Sequence, residues 1–344
     1  MAAALKDGRF AGRVVAPGDV AQVDLKVSES VAHQPMRIPV TVARGKKDGP
    51  VLYVTSAIHG DEINGVAIVR RLLDGIDGLL VAGTLVAVPI VNRFGFESGE
   101  RYLPDRRDLN RHFPGDPKGS MAARLADQVF RKIVRGCDFG VDLHTAADGN
   151  TNLCHIRGDA DRPELKALMK AFGIPIMVHG DGPRGSLRRA ATEAGVPSLL
   201  FEAGEPGRFQ RRVVEVGHAG LVSLLRHLGM ADGKPTKPPL QILVREAEWV
   251  RSDHGGILDL DVEPGDIVRK GDPLGTIHDP LGRHVDAVDA PISGVVLGTT
   301  TSPLVFPGLA MVHLGQLEKT FDRARAYADA GGDLGHVHFP GGRP

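Results

Sequence analysis

The segment Val51 to Gly65, VLYVTSAIHGDEING, constrains the fold more than any other stretch of the chain. A largely apolar, β-branched run from Val51 to Ile58 carries no charge and stops abruptly at His59-Gly60-Asp61-Glu62, where a helical pattern begins. A short run of this kind bounded by glycine reads as a buried strand, so His59 and Glu62 stand where a strand end meets a helix start. Three residues apart, an imidazole and a carboxylate can converge on one cation. That is part of the three-ligand arrangement that leaves one zinc position open for water. Alone, HxxE more often describes a loop histidine beside a solvated acid. The pair gains meaning only if the chain also supplies a third ligand, a base and a substrate grip.

The pattern that follows is one of strands alternating with helices. Asn64 to Leu73 carries apolar residues at helical spacing, and Gly83 to Val91 (GTLVAVPIV) is a second buried strand. Ser120 is placed to cap a helix running to about Arg135, and Asp161 to cap another with Pro163 in its first turn. Phe139–Leu143, Ile174–Val178 and Ser198–Phe201 read as strands, and Arg211–Leu228 as a helix. Residues 10–45 hold two or three further β segments, RIPVTVARG being the clearest. Between Asn92 and Gly119 lies a long polar stretch, of a length uncommon unless it carries function. The fold class expected is α/β, with a mostly parallel sheet flanked by helices on both faces.

At Ala231–Pro239, ADGKPTKPP, the composition changes to that of a linker. From Leu240 to Leu314 the chain is short β segments with glycine turns, and GGILDLDVEPGDIVRKGDPLGTI with VDAPISGVVL has the look of a lipoyl- or biotinyl-like barrel. A carrier module would offer a modifiable lysine at its hairpin tip. HDPLGRH stands there instead, and Lys270 lies in the preceding turn, so a structural or substrate-framing module is expected. The division is then 1–235 for a catalytic domain with its N-terminal β segments, 240–315 for the β module and 316–344 for a tail. His336 and His338 read as tail residues rather than ligands.

With 42 basic and 42 acidic residues, the formal net charge is zero, which argues against nucleic-acid binding through bulk charge. No run is long enough to span a membrane, and the first residues lack the apolar stretch of a signal peptide. A cytoplasmic protein is expected. Two cysteines, Cys137 and Cys154, form no CxxC and suggest neither a disulfide framework nor a thiolate metal site.

Three strand ends carry ionisable residues: His59/Glu62, His144 in VDLHT, and Glu202 in LLFEAGE. In a parallel sheet the carboxyl ends of the strands share one edge, where ligands of open α/β sheets bind. Taken singly, His144 is better read as a hydrogen-bonded histidine at a sheet edge. Glu202 follows three apolar residues, so desolvation should raise its pKa toward the range of a general base. Glu205 reads as a solvated loop acid. In ERYLPDRRDLNRHFPG, Asn110 and Arg111 form a donor pair, and arginine's fork suits a substrate carboxylate. A salt-bridged loop would use the same arginine.

HGDE, DLNRHFPG, DLHT and the glutamate of FEAG, in this order, resemble the succinylglutamate desuccinylase/aspartoacylase family of the zinc carboxypeptidase-like superfamily. The resemblance covers roughly residues 45–230, and the trailing β module resembles that of bacterial members. It implies one Zn2+ per chain held by His59, Glu62 and His144, with Glu202 as general base. It also implies that Asn110 and Arg111 grip a carboxylate and that Asp108 supports His59. Arg101 resembles the arginine that polarises the scissile carbonyl, about two residues further from DLNR than in aspartoacylase. The aspartoacylase arginine for a second carboxylate has no counterpart in register, although Arg188 and Arg189 lie nearby. The implied activity is zinc-dependent amidohydrolysis: metal-activated water removes an acetyl, succinyl or similar group from a small N-acylated amino acid or diamino acid bearing a carboxylate. Bacterial relatives of this size include deacetylases of N-acetylated diamino acids from compatible-solute breakdown. The alternatives are a metallocarboxypeptidase acting on small peptides, which needs the same core, and a catalytically silent protein whose barrel-like module binds a partner. A homo-oligomer is compatible with either enzyme.

Overall fold

In the computed structural model, residues 7–332 and 334–335 are described; His336 and His338 lie outside them. Strand Lys47–Ser56 sits at the centre. It is parallel to Ala82–Val88 on one side and to Phe139–His144 on the other, and Phe139–His144 is parallel in turn to Ser198–Gly204. Successive residues of Val51–Val54 point to opposite faces, and all are fully buried. Leu52 and Val54 pack with helices Asn64–Leu73, Pro163–Phe172 and Arg211–His227. Val51 and Tyr53 pack with Met121–Lys132 and Leu187–Glu193. Burial on both faces is why this strand is written as a continuous apolar run rather than an alternating one.

The parallel arrangement holds for these four strands but not for the sheet as a whole, which is mixed and 13-stranded. The hairpin Val20–Glu29/Pro35–Arg44 joins antiparallel beside Ala82–Val88. Asn150–Gly158 joins antiparallel beside Ser198–Gly204. A hairpin can only pair antiparallel, whereas parallel pairing needs a crossover.

The β segments beyond the Ala231–Pro239 stretch do not all stand apart from this sheet. Ile242–Val244 pairs parallel with Ile176–His179. Gly294–Thr300 pairs antiparallel with Asn150–Gly158, and Ala310–Gln316 and Ala247–Arg251 extend the same sheet outward. Only His284–Asp289, Pro273–His278, Gly256–Leu260 and Leu304–Val305 form a separate four-stranded sheet. Among the described residues no helix is long and apolar enough to cross a membrane.

Local signals acted as read at Ser120, whose Oγ accepts from the Ala123 N–H at the start of Met121–Lys132. Asp161 does not cap. Arg162 occupies that position without a side-chain bond, and Asp161 is drawn instead to Arg245 at 3.0 Å. The polar stretch after Asn92 folds into a short helix, Arg93–Ser98, and one 3-10 turn, Leu109–Arg111.

Candidate metal centre

His59 leaves the end of the central strand in a tight turn that closes with the Glu62 N–H on the His59 carbonyl at 3.2 Å. Gly60 is required inside it: a Cβ there would lie 2.0 Å from the carbonyl carbon of Gly95. The turn brings His59 Nδ1 to 2.6 Å from Glu62 Oε1. From the next strand, His144 Nδ1 reaches the other oxygen, Oε2, at 2.8 Å, and the Thr145 N–H donates to it at 2.9 Å. One ligand atom from each of His59, Glu62 and His144 lies within 4.8 Å of the others, all three residues being buried, so the group could hold a metal ion.

The chemistry of this donor set fits a divalent cation. Each imidazole presents Nδ1 to the shared carboxylate, and each Nε2 is held from behind by an aspartate. His59 Nε2 is 3.0 Å from Asp108 Oδ1, and His144 Nε2 is 2.7 Å from Asp142 Oδ2. A carboxylate behind the ring fixes the proton on Nε2 and leaves Nδ1 as the ligating atom, the usual support for a metal-bound histidine. Burial disfavours charge on both rings. Glu62 with Asp108 nonetheless holds His59 above its usual pKa, and Asp142 with Glu62 holds His144 well above it. Against the same burial, the two rings hold Glu62 below the ordinary carboxylate range. The acids therefore favour positive charge between them.

Arg101 closes the group from the polar stretch, donating from Nη1 to Glu62 Oε1 at 2.8 Å, with Nη2 3.5 Å from Asp108 Oδ2. Asp108 also accepts from the Asn110 N–H at 2.8 Å, which sets the 3-10 turn carrying Asn110 and Arg111. The Asn110 side-chain oxygen accepts from the Leu187 N–H at 2.8 Å, tying that turn to helix Leu187–Glu193. Among the described residues no hydrogen bond engages the Asn110 side-chain nitrogen, which is left to offer a ligand. The Arg111 side chain is half exposed, with Nη1 on the Asn110 carbonyl at 2.9 Å and 3.8 Å from Asp108.

Glu202 is the in-register strand neighbour of His144. Its Oε1 accepts from Asn152 Nδ2 at 3.3 Å, and Oε2 lies 3.7 Å from Arg157 Nη1. Burial raises its pKa, and Arg157 opposes the rise. His59, Glu62, Arg101, Asn110, Arg111, His144 and Glu202 all line one cavity of about 460 Å³. Asp108 supports His59 from outside that lining. Glu205 faces Arg208 at 2.6 Å.

The cavity wall also holds Asn152, His155, Arg157, Trp249 and His313, to which sequence reasoning gave no place, and Arg188, which it named out of register. Arg188 is buried, its pKa pushed down to about 10 by burial and by Arg157. Arg189, next to it, is turned to Glu193 at 2.8 Å. His155 Nδ1 donates to the Leu153 carbonyl at 2.8 Å, and burial pushes the ring down to about 3. Trp249 stacks on His313 with 4.5 Å between ring centroids, both on strands beyond residue 240. The signal for His155 and Arg157 was present in LCHIRG, whose period-two alternation places both on one strand face.

Residues 48–228 match the succinylglutamate desuccinylase/aspartoacylase catalytic domain. The chain belongs to the succinylglutamate desuccinylase/aspartoacylase family. Within and around this family, it is 31% identical over 267 residues to N-alpha-acetyl-L-2,4-diaminobutyric acid deacetylase of Halomonas elongata, covering 73% of this chain and 77% of that one. The product-bound ectoine utilization protein EutE (DoeB) of Ruegeria pomeroyi superposes with a TM-score of 0.78 at 26% identity, over 87% of this chain and 95% of the other. A succinylglutamate desuccinylase/aspartoacylase of Rhodobacter sphaeroides gives 0.76 at 25% identity, over 86% and 94%. The motifs that carry the family resemblance are the segments that meet at the cavity.

Proposed function

We propose that the protein is a zinc-dependent amidohydrolase that removes an acyl group from a small N-acylated amino acid in the cytoplasm. The observation that carries this is the convergence of His59 Nδ1, His144 Nδ1 and the Glu62 carboxylate in one cavity with Glu202 and the Asn110/Arg111 pair. His59, Glu62 and His144 would hold the ion, which when bound supplies Lewis acidity and makes water acidic enough to ionise near neutral pH.

The chain's own groups do the rest. Arg111 and the Asn110 amide nitrogen bind the substrate carboxylate and fix the amide carbonyl in the cavity, a gain of orientation. Glu202 accepts a proton from the attacking water as its oxygen bonds to the carbonyl carbon. Arg101 donates to the oxygen on which negative charge develops. Glu202 then returns the proton to the leaving nitrogen as the C–N bond breaks, giving a free amine and a carboxylic acid. Burial around Glu202 supports this role, because it raises the pKa and so makes the carboxylate a stronger base than an exposed one.

The wall that Trp249 and His313 add to the cavity favours a small substrate over the extended peptide of a metallocarboxypeptidase. The names of the relatives put N-acetylated diamino acids first among candidates, and Arg188 adds N-acylated acidic amino acids. The test is a screen of N-acetyl-diaminobutyrate, N-acetylaspartate, N-succinylglutamate and dipeptides with zinc-loaded protein, following free amine. Turnover of the N-acyl amino acids is expected. Preference for dipeptides would move the reading to a carboxypeptidase.

A further inference from the structure

Strand Asn150–Gly158 stands between Ser198–Gly204 on one edge and Gly294–Thr300 on the other. On the first edge the register shifts at Glu202, which pairs with His155 while Gly204 pairs with Asn152. That irregularity lets Asn152, from the same strand as Arg157, reach Glu202. Asn152 Nδ2 donates to Oε1 at 3.3 Å, and Arg157 Nη1 stands 3.7 Å from Oε2. Each oxygen of the carboxylate thus faces one donor of that strand.

On the second edge Asn152 pairs with Gly298. A Cβ on Gly298 would lie 2.4 Å from Asn152 Oδ1 and 2.8 Å from the Thr151 carbonyl oxygen, closer than real Cβ contacts come. Gly298 does not sit at positive φ, so backbone conformation does not demand glycine here. The space beside Asn152 does. The Asn152 amide lies between the two strands, its oxygen over Gly298 and its nitrogen on Glu202.

We propose that the C-terminal strand Gly294–Thr300 sets the orientation of Glu202. Gly298 leaves the space in which the Asn152 amide lies, and Asn152 fixes one oxygen of the carboxylate. Asn152 and Gly298 are positioning residues, and the proposal rests on the reading of Glu202 as the base. It gives the C-terminal β segment a part in the chemistry beyond framing the cavity, through a contact that only a residue without a side chain permits.

The experiment compares kcat, KM, zinc per chain and melting temperature for Asn152→Ala, Asn152→Leu, Gly298→Ala, the double variant Asn152→Ala/Gly298→Ala, and Glu202→Gln. Asn152→Leu keeps the side-chain size and removes the donor. It is expected to lower kcat about 10- to 100-fold with KM and zinc content unchanged, the scale of a misplaced catalytic group. Gly298→Ala is expected to lose kcat similarly. In the double variant the collision with the Asn152 amide is gone while that with the Thr151 carbonyl oxygen at 2.8 Å remains, so its loss should be smaller than the sum of the two single losses. A kcat within twofold of wild type for Asn152→Leu overturns the proposal, and so do additive losses in the double variant. If Gly298→Ala fails to fold, Asn152→Leu decides alone. Turnover retained by Glu202→Gln would instead sink the base assignment, a separate failure.

Discussion

Replacing Asp142 by asparagine tests how the buried acids prepare the two histidines. Asp142 is fully buried and accepts twice, from His144 Nε2 at 2.7 Å on Oδ2 and from the Thr55 hydroxyl at 2.8 Å on Oδ1. Asparagine keeps the shape but turns one acceptor into a donor. If the NH2 faces the ring, Nε2 must accept and the ring proton moves to Nδ1, the atom that faces Glu62, which is then unable to ligate. If the NH2 faces Thr55, the hydroxyl reverses and His144 keeps its tautomer, but on a neutral bond roughly half as strong as the charged one. Either way zinc affinity falls. Loss of such a supporting carboxylate costs about 10- to 100-fold in metal affinity, or about 1.4–2.7 kcal/mol. Asp142 belongs at the upper end, because no water can replace it. Asp108, whose side chain is 17% exposed, belongs at the lower end. The assay is the zinc dissociation constant at fixed neutral pH, by competition with a fluorescent chelator. Unchanged affinity in Asp142→Asn would refute the reasoning, as would a larger loss in Asp108→Asn.

Three further outcomes are expected. Arg111→Ala should raise KM for substrates bearing a carboxylate with a smaller effect on kcat; an unchanged KM removes it from the grip. The acid limb of kcat/KM should lie above the ordinary carboxylate range. Glu202 can accept a proton only when ionised and burial raises its pKa, so activity is present above that pKa and lost as pH falls through it; a limb at an unperturbed carboxylate value contradicts this. Gly60→Ala should destabilise the fold by about 1–3 kcal/mol or more, since its Cβ would meet backbone at Gly95; an unchanged melting temperature would show that the turn is looser than described.

The elements visible in the sequence were those whose burial shows locally, as a largely apolar run or as apolar residues at helical spacing. The central strand, Phe139–His144 and Ser198–Gly204 are fixed by their own composition; the turn after the first brings His59 and Glu62 to the cavity, the second His144 and the third Glu202. Strand Asn150–Gly158 was missed because it is half polar: Cys154 and Ile156 enter the core while His155 and Arg157 face the cavity. The alternating stretch LCHIRG is short and begins after the polar run 148–152, so the strand went unread although its period was present, and Asn152 and Arg157 were missed with it. Helix Leu187–Glu193, which carries Arg188, was missed although Ser186 at its N-cap and Gly195 just past its end are boundary residues, because seven residues are too few for a helical apolar period to stand out. The merging of Gly294–Thr300 with the main sheet depends on pairing residues some 150 positions apart, and no local pattern encodes that register. Trp249 and His313 entered the cavity wall by the same route.

The central claim is that two histidines and one glutamate hold the ion while a second glutamate moves the proton. Zinc content of purified Glu202→Gln, measured beside its turnover, separates those duties most directly. The account predicts about one zinc per chain, as in the wild type, with no detectable release of amine. Zinc lost together with activity would make Glu202 a ligand, and zinc retained with activity intact would leave the reaction without its base.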